Sequence, residues 1–393
     1  MPQKSSSDLR RLGTILLLGV VAGAGVRYIL ERANARTGTT TSPRLIDWAQ
    51  ARAIALRVSQ WEQAPLLERA NRREQYSRLV AQSEPLIASY MQVNLPEPIN
   101  RLYVVDRRDW LLANFSSFEL LFAPVEDLYL RVSARQGALG GMLGGINGKV
   151  IGAQMGVLLG FLARRVLGQY DLSLLSPDAA VRGTLYFVEP NIARVQSQLG
   201  LSDEDFRLWI TLHECTHVFE FEAFPWVRPY FNELLREFLG SVTDQLSGLT
   251  AGLGPLAGRL LRGRADGRHW IETMLSPEQQ QIFDRMQALM SLVEGYSNHI
   301  MNAIGQQLLP SFNQIEQRIQ QRQQRRPLLD ELFNRITGMD LKLAQYQQGE
   351  AFVNRVAATR GVDFLNQVWE RRENLPTMAE IREPERWIAR MGG

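Results

Sequence analysis

The residues of this chain best suited to chemistry are His213-Glu214-Cys215-Thr216-His217, two histidines and a glutamate in an H-E-x-x-H arrangement. On a helix, residues four apart lie one above the other, so both imidazoles leave the same face and can share one divalent ion, with Glu214 alongside. Neutral imidazole nitrogens suit Zn²⁺. A zinc ion with three protein ligands keeps a fourth position for water, whose pKa falls from about 16 to about 7 on binding. A carboxylate beside that water can take its proton and pass it to a leaving amine, which is the chemistry of hydrolysis. Half of the four histidines in the chain are spent here.

Such a site needs a third protein ligand. Glu220 lies on the same helix face, but ligands at i, i+4 and i+7 of one straight helix can hardly surround one ion. The usual metzincin solution is excluded, because the glycine and third histidine it requires after the motif are absent. Glu294 is the better choice. It sits inside an apolar stripe (Met286, Leu289, Met290, Val293, Ile300, Met301, Ile304) of a helix predicted from Pro277 to Leu309, with Ser276 as its N-cap. A carboxylate on a buried face needs a compensating partner, either a metal or an arginine. Gly295 is expected to let the HExxH helix approach closely, and Asn298, one turn on, is placed to orient a ligand. Tyr170, Tyr296, His299 and Tyr346 are the candidates for steadying a developing oxyanion, and the sequence does not choose among them. His269, in RADGRHW, reads as a surface residue and Cys215 as a small buried filler.

The elements that must position these groups are mostly helices. Asp203–Glu222 reads as one continuous helix, with Ser202 and Asp205 as a capping box and acidic residues in the first turn. Leu45 to Trp61 and Pro65 to Gln82 carry apolar residues at helical spacing, and Gln314 to Arg326 reads as a solvated helix face. Extended segments are few, chiefly Leu102 to Asp106 and Thr184 to Val188. The fold class is therefore mainly α with room for a small β-sheet. Between Gly137 and Gly168 glycines recur among Leu, Met, Val and Ile, a pattern expected of closely packed helices, with a membrane hairpin as the other reading. Lys149, Arg164 and Arg165 cut it into apolar runs too short to span a bilayer, which favours packing. The Gly-rich segment Leu246 to Leu261 invites the same two readings, or a flap near the site.

With 393 residues, 45% of them apolar, the chain can bury a substantial core. Its net charge of +3 spreads over 44 basic and 41 acidic side chains, so nucleic acid is not an expected partner. A single cysteine excludes an intrachain disulfide. Two regions are expected: an N-terminal extension over 1–43 and a metallohydrolase domain over 44–393. Residues 12–30 of the extension are apolar enough for a signal anchor, provided Arg27 snorkels to the interface; a signal peptide cleaved near Ala22-Gly23-Ala24 and a soluble or interfacial helix are the other readings, so a membrane-anchored location is the first expectation and a cytoplasmic one the second.

From about Leu45 to Gly393 the sequence resembles a bacterial zincin-like metallopeptidase family, sometimes labelled as associated with deazaflavin coenzyme biosynthesis. The resemblance rests on Leu167-Gly-Gln-Tyr-Asp-Leu172, Leu208 to Trp226, Ser276 to Met301, Lys342-Leu-Ala-Gln-Tyr346 with Gly349 and Phe352, and Asn374-Leu-Pro-Thr377 with Trp387. It implies a zincin-like fold in which the two histidines and a downstream glutamate bind zinc, matching His213, His217 and Glu294. This sequence departs at Asn298, where the family more often carries an acidic residue. The coenzyme label implies no reaction. The functional expectation is a zinc-dependent metallohydrolase, of peptidase type, acting on a peptide or protein through Glu214. A non-catalytic zincin-like interaction module and a membrane-associated scaffold are the alternatives.

Overall fold

The computed structural model describes residues 44–62, 66–134, 137–171, 183–248, 275–324 and 339–392. They are mainly helical, with one three-stranded sheet. In chain order the elements are α1 (Trp48–Ser59), α2 (Leu66–Met91), β1 (Leu102–Val105), α3 (Arg107–Ala134), α4 (Gly137–Ala163), β2 (Gly168–Asp171) and β3 (Thr184–Val188). There follow α5 (Glu189–Leu199), α6 (Asp203–Glu222), α7 (Val227–Gly248), α8 (Pro277–Leu308), α9 (Phe312–Gln324), α10 (Met339–Arg360), α11 (Val362–Asn366), α12 (Met378–Arg382) and α13 (Pro384–Gly392).

Two compact units are present. One joins the described part of Met1–Gln60 to Glu126–Ala163, and the other joins Trp61–Val125 to Arg164–Gly393. In the first, α1 packs along α4 through glycines four residues apart. A Cβ at Gly152, Gly156 or Gly160 would stand 2.6, 2.5 or 2.7 Å from the backbone oxygens of Asp47, Ala51 and Ala55. Side chains of any size there would force the helices apart. From Gly148 to Gly160 the glycines thus form a packing stripe. Among the described residues no helix is long and apolar enough to cross a membrane. The apolar run at residues 12–30 lies outside the described residues, as do His269 and all of Leu246 to Leu261 beyond Gly248.

In the second unit β3 is central, parallel to β1 and antiparallel to β2, with Leu102 opposite Leu185 and Gly168 opposite Phe187. β1 and β3 fall on the segments whose composition predicts strands. β2 is an additional strand that its polar Gly-Gln-Tyr-Asp sequence does not announce. The core lies among the sheet, α2, α6, α7, α8 and α10, with Phe187, Phe206, Leu212, Phe219, Leu292 and Phe352 fully buried or nearly so.

Candidate metal centre

α6 begins where Ser202 accepts a hydrogen bond from the Asp205 backbone N–H at 3.4 Å. Only this half of the expected capping box forms, because the Asp205 carboxylate turns away to accept from the backbone and hydroxyl of Ser311. The helix then presents three faces. Leu212, Cys215 and Phe219 enter the core; Cys215 is buried, as its expected role as a filler requires. Glu214, Val218 and Glu222 face β2. His213, His217 and Glu220 face α8.

α8 starts at a complete capping box between Ser276 and Gln279, with proline at the first helical position. Its residues Glu294, Ser297 and Asn298, at spacings of three and four, share one face. Glu294 comes to 3.7 Å from His213 Nε2, and the ligand atoms of His213, His217 and Glu294 all lie within 4.8 Å of one another. No arginine or lysine pairs with Glu294 among the described residues, which removes the salt-bridge alternative there. The imidazole rings of His213 and His217 stand edge to face with centroids 4.8 Å apart.

Each histidine is held from behind. His217 Nδ1 lies 2.8 Å from Glu220 Oε2 and 3.0 Å from Ser297 Oγ, which leaves Nε2 for the shared space. The Asn298 side chain is near enough to His213 to favour its protonated form, and its amide donates to Glu350 at 3.3 Å. The electrostatics follow from burial among acids. Burial and the neighbouring His217 push His213 down to about 4, so it is a neutral nitrogen donor at pH 7. Burial would lower His217 too, but the hydrogen bond and charge of Glu220, with Glu294 and Glu214, raise it to about 9. The field that favours a proton at that position favours a metal cation equally. Burial, helped by the charge of Glu294, lifts Glu214 to about 7, near the pH at which a general base works best. The donor set, its free nitrogen and its negative field therefore fit a divalent ion of the zinc type.

Glu214 is not part of the three-residue cluster. Its carboxylate lies under the backbone of β2, where a Cβ on Gly168 would stand 2.5 Å from Oε1. The oxyanion candidates fare less well. The Tyr170 hydroxyl is bound to Glu222, two helical turns from Glu214, with Arg228 on the same carboxylate. Tyr296 is buried and donates to Asn366 Oδ1 at 2.5 Å. His299 has Tyr90 at 2.6 Å on one nitrogen and Asn354 at 2.6 Å on the other. The side chain of Tyr346 lies outside the described residues. Gly295 also departs from expectation, since its close neighbour is the Gly349 backbone of α10 rather than the HExxH helix.

Residues 46–388 match the zincin-like metallopeptidase family profile, so the chain belongs to that family. It is also similar to a crystal structure from Chloroflexus aurantiacus, described provisionally as a hydrolase with a novel fold. The two share 58% identity over 88% of this chain and 99% of that one, with a TM-score of 0.66. No curated protein matches the chain.

Proposed function

We propose that the protein is a zinc-dependent peptidase in which His213, His217 and Glu294 hold the ion and Glu214 is the general base. The observation that carries this reading is the convergence of Glu294, from a separate helix, on the two histidines of α6, while Glu214 stays outside the cluster. A structural metal site has no use for a buried base of that kind.

Zinc bound there would supply a Lewis acid and lower the pKa of water. The protein does the rest. Glu214 takes a proton from the attacking water as its oxygen bonds to the peptide carbonyl carbon, then returns the proton to the amide nitrogen as the C–N bond breaks. β2 is an edge strand of the sheet, and its Gly168 backbone lies directly against Glu214. An extended peptide pairing with the outer edge of β2 would lay its carbonyls beside that carboxylate, which favours a peptide or protein substrate over a compact small molecule.

Zinc content and cleavage of a peptide library, measured on the same preparations, test the reading. Glu214→Gln is expected to keep its zinc and lose activity by roughly 10²- to 10⁴-fold, the usual contribution of a general base. Glu294→Ala is expected to lose both. Full activity in the first variant would remove Glu214 as the base, and undiminished zinc in the second would remove Glu294 from the ligand set.

A further inference from the structure

We infer that Glu220 is a positioning residue of the metal centre, fixing the orientation of His217 and setting a carboxylate behind it that strengthens it as a ligand. This rests on the peptidase reading above, and specifically on its ligand set.

Glu220 has no solvent exposure. One carboxylate oxygen faces His217 Nδ1 at 2.8 Å, and the other accepts from the Ser297 hydroxyl at 3.2 Å. No arginine or lysine approaches it among the described residues, so its ion-pair partner is His217 alone. A buried carboxylate whose one partner becomes a neutral imidazole when it holds an ion is costly, and a glutamine could make the same two contacts without that cost. The charge therefore has a use that hydrogen bonding does not supply.

A dication held by two neutral imidazoles and the Glu294 carboxylate leaves positive charge on the ligand set, and Glu220 sets a carboxylate against the far side of His217. A carboxylate on Nδ1–H also fixes the tautomer, so Nε2 is the atom that faces Glu294, and it strengthens that nitrogen as a donor. His213 is treated differently, because a neutral amide, Asn298, stands behind it. The two histidines are thus unequal ligands, with His217 the stronger. Ser297, which touches both His217 Nδ1 and Glu220, locks the carboxylate in place.

Glu220→Gln keeps the shape and the hydrogen-bonding oxygen but removes the charge. Zinc affinity measured by competition with a chromophoric chelator should fall about 10- to 100-fold. The visible absorption bands of the cobalt-substituted protein should shift, and the thermal midpoint of the metal-free protein should hold or rise. A purely structural glutamate predicts the reverse pattern, a lowered midpoint with unchanged zinc affinity and cobalt spectrum, and that result overturns the assignment. Ser297→Ala gives a second handle should the glutamine variant fold poorly, with a smaller loss of affinity expected and an unchanged affinity counting against the assignment. Failure of the underlying ligand set looks different. Wild type would then bind zinc no more tightly than Glu294→Ala, and both readings would fall together.

Discussion

Gly168 shows how much a missing side chain can matter at the scale of a residue. The strand β2 passes so close to Glu214 that any Cβ at position 168 would press on its carboxylate carbon, Oε1 and Cγ. Either the strand lifts or Glu214 swings aside, and none of His213, His217 and Glu294 is touched. Gly168→Ala should therefore retain its zinc and its thermal midpoint while kcat falls by about 10²-fold, the scale expected when a catalytic group is displaced by about 1 Å. Unchanged kcat with full zinc would mean that the position of Glu214 relative to β2 is unimportant. Glu294 is readable from the sequence because a carboxylate in an apolar stripe has few explanations. The roles of Gly168 and Glu220 are not, since one depends on a strand pairing and the other on which ring nitrogen a side chain meets.

Between elements, the position of α8 is set by its crossing with α10. Gly295 and Gly349 face each other there, and a Cβ on Gly349 would collide with the Ser291 carbonyl. The crossing brings Glu350 onto Asn298 and Asn302, each at 3.3 Å, and Asn298 in turn onto His213. Gly349→Ala would separate two backbones rather than merely crowd a side chain, so a loss of about 1–3 kcal/mol in urea unfolding is expected, the range for overpacking. Zinc affinity should weaken with it through Asn298, and an unperturbed unfolding midpoint would show that the helices can shift without cost. A glycine in a helix announces that something comes close without naming it, which is why the sequence assigns Gly295 to the wrong neighbour. α6 and α8 are legible almost to the residue, because Ser202 and Ser276 cap them and proline opens α8. β2 is illegible for the opposite reason: four mainly polar residues become a strand only through their pairing with β3.

Across the unit that carries the site, α6 is anchored at its start by a network of charges. Arg207, which has no exposure, pairs with Glu189 and Asp203, while Arg72 reaches both acids and the Tyr76 hydroxyl donates to Glu189 at 2.9 Å. Three helices, α2, α5 and α6, are joined in this way some two turns before His213. Apolar patterning predicts the helices but cannot tell which charged residue of one meets which of another, so this tie becomes visible only in three dimensions. Its pH dependence can be worked out from Asp203. Burial raises the pKa of that carboxyl, but hydrogen bonds from Arg72 and Gln75, with the charges of Arg207 and Arg72, more than offset this and hold it below the ordinary value. A group whose pKa is depressed by folding stabilises the protein above its unfolded pKa of about 3.9, and that stability is lost as pH falls through the folded value. The side chain is 43% exposed, so solvent screens the effect to within about 1 kcal/mol. Urea unfolding of wild type and Asp203→Asn should therefore differ by a constant amount from pH 7 down to about pH 5, then converge on further acidification. A difference that stays the same down to pH 3 would show that the carboxylate charge contributes nothing to holding α6.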